Sequence, residues 1–383
     1  MISVGGSLAG ELTSWFRARY PWLVDMGLAS SAPILGYPGY SSEYGWYATV
    51  TGAFQRAGGD ACVEQIRSGF TELPRLTPAE LTKAFNTCTP ATKWCDYMQF
   101  TQSVYDWVGG AAEGGYPPTL SPVNKACSLM DGKTTTAAAW KALFEDSSGG
   151  GSTAGGGCLN ITWASTCSGD TPVHEPHHAA HHAATGGGAA ANEHRGSSSS
   201  SKSTLSTNMW DYLACTTEVH PIGSNNVTDF LPPVKWDMAA TQEWCQTMYS
   251  TAALNAPPGT FKPAKAFMRP NAMPRAFGEV DLAKFATATS RIIFSSGQND
   301  PWSSQSITKT LSPSLPAVMI SLGAHHSDLG GPYNPVPTAS DTASLNKTRA
   351  FEIATLQKWI EATHDERAAA KHHVDHNADT IMF

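Results

Sequence analysis

Two rhythms of apolar and polar positions divide this chain. The run Met1-Ile2-Ser3-Val4 reads as a short strand that stops at Gly5 and Gly6. Residues 8–19 then take a helical rhythm: Leu12, Trp15, Phe16 and Arg19 share one face, and Pro21 ends the run. Residues 27–34 form a small-residue run of the kind that makes a buried strand. Together these segments predict one β-α-β unit and hence a parallel sheet. The strand signal returns at residues 290–295 and 317–321. An amphipathic helix over residues 345–363 closes the pattern, with Ile353, Leu356 and Ile360 facing inward and Trp359 at the margin. Between the two sheet-forming parts, 1–40 and 278–363, lies a mainly helical insertion over 41–277. Residues 48–69 and 78–85 carry its clearest helical periodicity. The tail, 364–383, is polar and alanine-rich and reads as loose.

Inside the insertion, residues 147–203 are low in complexity, with glycine runs, a His/Ala tract and a serine run. Such composition cannot bury enough apolar surface to offset chain entropy, so most of it is expected to be disordered. The segment 160–163, beside Cys158, is the expected ordered island.

With 383 residues, 41% hydrophobic and 15% charged, the chain is long enough for a large core and more than one structural unit. The net charge of −7 argues against nucleic acid as a partner, because phosphate binding needs a basic face. No apolar run reaches the length of a membrane span. The eight cysteines include no C-x-x-C pair, which argues against zinc and for disulfides. Sequons at Asn160, Asn226 and Asn346 join the cysteines in favouring an oxidising secretory compartment. No signal peptide opens the sequence. A secreted-type chain that begins on a strand leads to the expectation that an N-terminal part is missing. The histidines of the tract (His174, His177, His178, His181, His182 and His194) are spaced irregularly, and they read as a linker rather than a metal site. Neither a metal nor a cofactor is expected.

The chemistry concentrates in three places. In Val4-Gly5-Gly6-Ser7-Leu8-Ala9-Gly10 a serine stands at the apex of a strand, a sharp turn and a helix. This is the build of the nucleophile elbow of α/β-hydrolases, G-x-S-x-G, with Ala9 in the last position. A serine nucleophile needs a base to take its proton and an acid to orient that base. Asp300 follows the strand at 290–295, and His325 follows the strand at 317–321. Serine, aspartate and histidine thus appear in α/β-hydrolase order, each just past a strand.

Several segments resemble one family. They are Gly5-Gly6-Ser7 with Trp15-Phe16-Arg17 and Tyr20-Pro21, then Ala29-Ser30-Ser31-Ala32-Pro33-Ile34. To these add Trp210-Asp211-Tyr212-Leu213-Ala214-Cys215-Thr216-Thr217-Glu218, Phe294 with Asp300-Pro301-Trp302, and Gly323-Ala324-His325-His326-Ser327-Asp328-Leu329. The chain is similar to the serine peptidases that include lysosomal Pro-X carboxypeptidase and dipeptidyl peptidase II. The resemblance implies an α/β-hydrolase fold with a helical cap and cleavage after proline (or alanine) from one peptide end. By the same resemblance Ser7 is the nucleophile, Asp300 the orienting acid and His325 the base, with His326 a packing or hydrogen-bonding neighbour. The backbone N–H of Leu8 supplies half of the oxyanion hole, although the family has tyrosine there. The other half comes from an N-terminal loop that this sequence lacks. Trp210, Tyr212 and Trp302 are candidates to wall a proline pocket. Asp211 stands where dipeptidyl peptidases of the family carry an acid and carboxypeptidases a serine, which favours recognition of a free amino terminus. Pro-X carboxypeptidase activity is the alternative, and an inactive fragment or pseudoenzyme is a further one. The resemblance also implies disulfides Cys62–Cys127, Cys88–Cys158 and Cys215–Cys245, leaving Cys95 and Cys167 to pair or stay free. Its expected setting is lysosomal, vacuolar or extracellular. The expected partners are peptides with proline at the penultimate position and a second copy of the chain in a homodimer, with neither nucleic acid nor membrane.

Overall fold

A computed structural model describes residues 1–88, 90, 94–146, 153–154, 158–159, 209–248, 269–277, 281–330 and 341–380. Its centre is a parallel sheet of β1 (Ile2–Gly6), β2 (Met26–Ser30), β5 (Ile292–Gly297) and β6 (Ala317–Ile320), in the order β1-β2-β5-β6. All three pairings are parallel, so each connection must cross over, and the first does so through α1 (Leu8–Arg19). The bounds of α1 match the periodicity, but its buried face does not. Trp15 is buried, whereas Leu12 and Phe16 are exposed, and Gly10, Glu11, Thr13, Ser14 and Arg17 face inward. Close approach to the sheet selects small side chains on that face. Arg17 is held there by carbonyls of Pro21, Val24 and Ser290.

Both sheet faces are covered, as parallel sheets require. Side-chain alternation sends Ile292 and Phe294 to one face, with Ala29 and with Phe285 of α10 (Leu282–Ala288). It sends Ile293 to the other, with Met26, Leu28 and Trp359 of α11 (Ala343–Thr380). On β1, Ile2 and Val4 stand exposed. Helix α11 runs well past the predicted end at residue 363, and its inward face differs from the amphipathic reading. Ile353 is exposed, while Glu352 is buried beside Trp359. The Glu352 side chain lies beside Asp328 of the neighbouring loop and Ser295 of β5.

Among the described residues of the insertion, α2 (Gly45–Glu72), α3 (Pro78–Phe85), α4 (Trp94–Glu113), α5 (Pro122–Met130) and α6 (Thr136–Asp146) come first. Helix α2 is kinked at Gly59, whose φ of 66° falls in the left-handed region. Helix α3 is fixed at its start by a capping box between Thr77 and Glu80. A core of Trp46, Tyr47, Phe54, Ile66, Phe85 and Trp140 holds these helices together. After them come a two-stranded pair, β3 (Thr153–Ala154) and β4 (Cys158–Leu159), then α7 (Met209–Ala214), α8 (Met238–Met248) and α9 (Ala272–Phe277). The disulfides Cys62–Cys127, Cys88–Cys158 and Cys215–Cys245 are all formed. The Cys95–Cys167 pairing, the sequon at Asn160, the island at 160–163 and the His tract lie outside the described residues. Asn226 and Asn346 are exposed. Among the described residues no helix is long and apolar enough to cross a membrane.

Candidate active site

Ser7 sits between the last residue of β1 and the first of α1, with φ 59° and ψ −130°. A side-chain-bearing residue at such a φ is strained, and it persists only where the surroundings fix it. Here the Ser7 N–H donates to the Ser30 carbonyl of β2 at 2.9 Å. The turn is tight enough that a Cβ on Gly5 would lie 2.1 Å from the Ala9 carbonyl oxygen. The small residues around this serine are thus required by steric contact between strand and helix.

Asp300 leaves the end of β5 and is fully buried. Its Oδ1 accepts the Trp302 N–H at 3.0 Å and the Nδ1–H of His325, also at 3.0 Å. That bond fixes the His325 tautomer and leaves Nε2 as the basic nitrogen. His325 follows β6, and its own N–H donates to the backbone carbonyl of Glu113 at 3.0 Å. His326 adopts a left-handed backbone (φ 38°), donates its N–H to the Ser31 hydroxyl, and packs against Gly6 of the elbow. The histidine loop therefore touches the serine turn directly.

A carboxylate that the motifs did not single out joins them. Glu113, the last residue of α4, places Oε1 3.7 Å from His325 Nε2 and accepts the Trp302 indole N–H at 3.2 Å. It is 17% exposed, against 0% for Asp300, so it is reachable from solvent. Burial raises the Glu113 pKa, the His325 charge opposes that, and Asp300 adds to it. For His325, burial acts downward but Asp300, by charge and hydrogen bond, and then Glu113 and Asp328 outweigh it, leaving the imidazole raised. His326 is lowered by burial and by its neighbour His325. No spacing rule could have found Glu113. It ends an apolar helical run and meets His325 only through the tertiary fold.

Trp302 is buried between Trp46, His220 and His325, with ring centroids 6.0, 5.3 and 6.4 Å away. It forms the wall beneath the histidine. Trp210 is half-buried and lines a small cavity with Trp236, Trp244, Glu218 and His220, while Tyr212 packs on the Cys215–Cys245 bridge. The Asp211 side chain lies outside the described residues. Behind Trp302, Glu11, Glu218 and His220 bring donor atoms within 4.8 Å of one another. Tyr37 donates to Glu218 at 2.9 Å, and His220 Nδ1–H donates to the Gly36 carbonyl at 2.7 Å. Burial lowers the His220 pKa against the opposing pull of the Glu218 charge and the Gly36 carbonyl.

A strained serine on a strand-turn-helix, with an Asp-His pair on the loops after two further parallel strands, is the arrangement of the serine-hydrolase class. The chain belongs to the serine carboxypeptidase S28 family, whose model it matches over residues 1–165 and 175–352. It is 27% identical to lysosomal Pro-X carboxypeptidase of Bos taurus over 379 residues, covering 94% of this chain and 63% of that protein. To the Homo sapiens protein of the same name it is 26% identical, covering 97% of this chain and 65% of the relative. Thymus-specific serine protease of Mus musculus is 23% identical, with 94% and 64% covered. The chain thus spans less than two thirds of the length of these relatives.

Proposed function

We propose that this protein is a serine exopeptidase on an α/β-hydrolase scaffold, cutting after proline or alanine and releasing amino-terminal dipeptides. The Asp300–His325 hydrogen bond beside the Ser7 elbow supports the chemistry. In this reading Ser7 Oγ attacks the substrate carbonyl and His325 Nε2 takes the hydroxyl proton. Asp300 stabilises the imidazolium, and the Leu8 N–H donates to the developing oxyanion. His325 then returns the proton to the departing amine, and water hydrolyses the acyl-enzyme by the same route reversed.

The single observation that carries the choice of peptide end is the Glu113 carboxylate beside His325 Nε2. A carboxypeptidase must bring a substrate carboxylate onto the leaving-group side of this histidine, where Glu113 repels it. A dipeptide-releasing enzyme brings only neutral peptide to that side, and the substrate's α-ammonium lies on the opposite, acyl side of the scissile bond. Asp211, in its family motif, is the carboxylate proposed to pair with that ammonium by a charge-assisted hydrogen bond. The competing reading, Pro-X carboxypeptidase, is favoured by the names of the relatives. Those names also support a lysosomal setting for this protein.

Two substrates separate the readings: a Lys-Pro amide with a free amino terminus, and an N-blocked peptide ending in Pro-Phe. Preference for the first, with all turnover and fluorophosphonate labelling lost in Ser7→Ala, is the expected result. Efficient cleavage of the blocked peptide would move the protein to the carboxypeptidase branch. Labelling that persists in Ser7→Ala would remove Ser7 as nucleophile.

A further inference from the structure

Beneath the histidine loop lies a second pair of acids that the catalytic cycle does not use. Asp328, three residues after His325, is buried, and each of its oxygens accepts a hydroxyl proton. Ser30 of β2 donates to Oδ1 at 2.5 Å, and Ser295 of β5 donates to Oδ2 at 2.6 Å. These serines are register partners on adjacent strands, so Asp328 straddles the middle of the sheet. Ser30 is also the residue whose carbonyl receives the Ser7 N–H. The side chain of Glu352, 4% exposed on α11, reaches the same point beside Asp328 and Ser295, and its Oε1 is buried with no hydrogen-bond partner among the described residues.

Two carboxylates cannot both be ionised at hydrogen-bonding distance in a buried site. The nearby cation does not change this, because Arg349 is already engaged. Its guanidinium donates to Asp341 at 2.7 Å, to the Asp328 carbonyl at 2.9 Å and to the Ser327 carbonyl at 3.2 Å. We propose that Glu352 is a positioning residue: as the neutral acid it donates its proton to the Asp328 carboxylate, and this shared proton seats the loop that carries His325. The proposal rests on the triad reading above but concerns the loop's support rather than the substrate.

The groups facing Glu352 are Asp328 and Ser295 from the sheet side and Arg349 from its own helix, with His326 a further neighbour of Asp328. Burial is the largest influence on Glu352 and Asp328 the next. Arg349 and the Ser295 hydroxyl oppose them, and the net effect is a pKa of about 9. The sign follows from linkage. The folded protein keeps this proton up to about pH 9, whereas the unfolded chain releases it near the ordinary glutamate value of about 4.3. The contribution is therefore complete below the ordinary value and is lost as pH rises toward the folded value. The seat is built for acid.

Glu352→Gln is the discriminating variant, since its amide can donate to Asp328 but does not titrate. Fluorophosphonate labelling rates and thermal unfolding are measured on the full chain from about pH 5 to about pH 9. The ratio of the Gln variant's rate to that of wild type should rise about twofold by the top of this range, where half of the Glu352 protons are lost, and its unfolding midpoint should lose the alkaline decline. Glu352→Ala, which leaves Asp328 without its donor, should label more slowly at both ends. If the Ala variant does not fold, the Gln profile decides alone. A rate ratio that stays flat, with the same alkaline decline in unfolding, overturns the proposal. If wild type does not label at any pH, the nucleophile assignment fails, and the unfolding curves still decide the role of Glu352.

Discussion

Replacing Gly6 by alanine should disable the site without disturbing any of its polar groups. A Cβ at Gly6 would lie 2.9 Å from His326 Cβ, 3.0 Å from Cγ and 3.1 Å from Cδ2. Carbon pairs rest at about 3.5–4.0 Å, so one partner must retreat by roughly 0.5–1 Å. Gly6 is fixed, because β1 pairs with β2 along its whole length and the next residue is the strained Ser7. The histidine loop is the softer element, and pushing His326 away carries the adjacent His325 with it. A misplacement of about 1 Å at a reacting group costs on the order of 100-fold in rate, and overpacking of this kind costs about 1–3 kcal/mol in stability. Gly6→Ala should therefore slow fluorophosphonate labelling by roughly 10- to 100-fold while the protein remains folded by circular dichroism. The contact supplies its own control. His326 has a left-handed backbone, where glycine is at ease, so His326→Gly removes all three clashing atoms without new strain. The double variant should label within a few-fold of His326→Gly alone, a coupling that a double-mutant cycle measures. Wild-type labelling by Gly6→Ala, or a double variant no faster than Gly6→Ala, would refute the steric account.

Glu113→Gln should raise kcat/KM for the N-blocked peptide, whose carboxylate Glu113 repels, by about 10-fold and leave the free-amino substrate within a few-fold. Equal losses on both substrates would reduce Glu113 to a support for His325. Opening Cys215–Cys245 by the double serine variant removes a bridge between residues 30 apart and should cost roughly 3–4 kcal/mol in the chain-entropy model. Denaturant unfolding measures the loss, and recovery of both cysteines as free thiols from the native protein would end this reading.

What the sequence made legible was local. The elbow is announced by glycine crowding, and the bounds of α1 and α3 by period and proline. The Asp and His loops are marked by strand ends in the right order. What it concealed depends on residues far apart in the chain. Glu113 reaches His325 only because α4 of the insertion lies over the histidine loop. Glu352 occupies a buried place that an amphipathic reading assigns to Ile353, and its neighbours there are the polar Asp328 and Ser295. The buried face of α1 likewise depends on tertiary contact. Leu12 and Phe16 look like core by composition, yet the close fit of helix on strand demands Gly10 and Ser14.

These hidden residues share a position that explains why they are polar. Toward the amino ends of the strands the sheet packs Met26, Ile292 and Ile293 into apolar layers. At the carboxyl ends hydroxyls and acids replace them: Ser30, Ser31, Ser295, Asp300, Asp328 and Glu352, all nearly or fully buried. A buried acid is tolerable only when hydrogen-bonded or protonated, so each one here constrains the loop that carries its partner. Asp300 orients His325, the Asp328–Glu352 pair holds the following turn, and Ser31 catches His326. The insertion closes the set through Glu113, whose carbonyl receives the His325 N–H while its side chain faces the imidazole. A shift of α4 therefore moves the histidine's backbone anchor and the adjacent charge together. With His325 as the base proposed above, the position of α4 and the competence of that base are one variable.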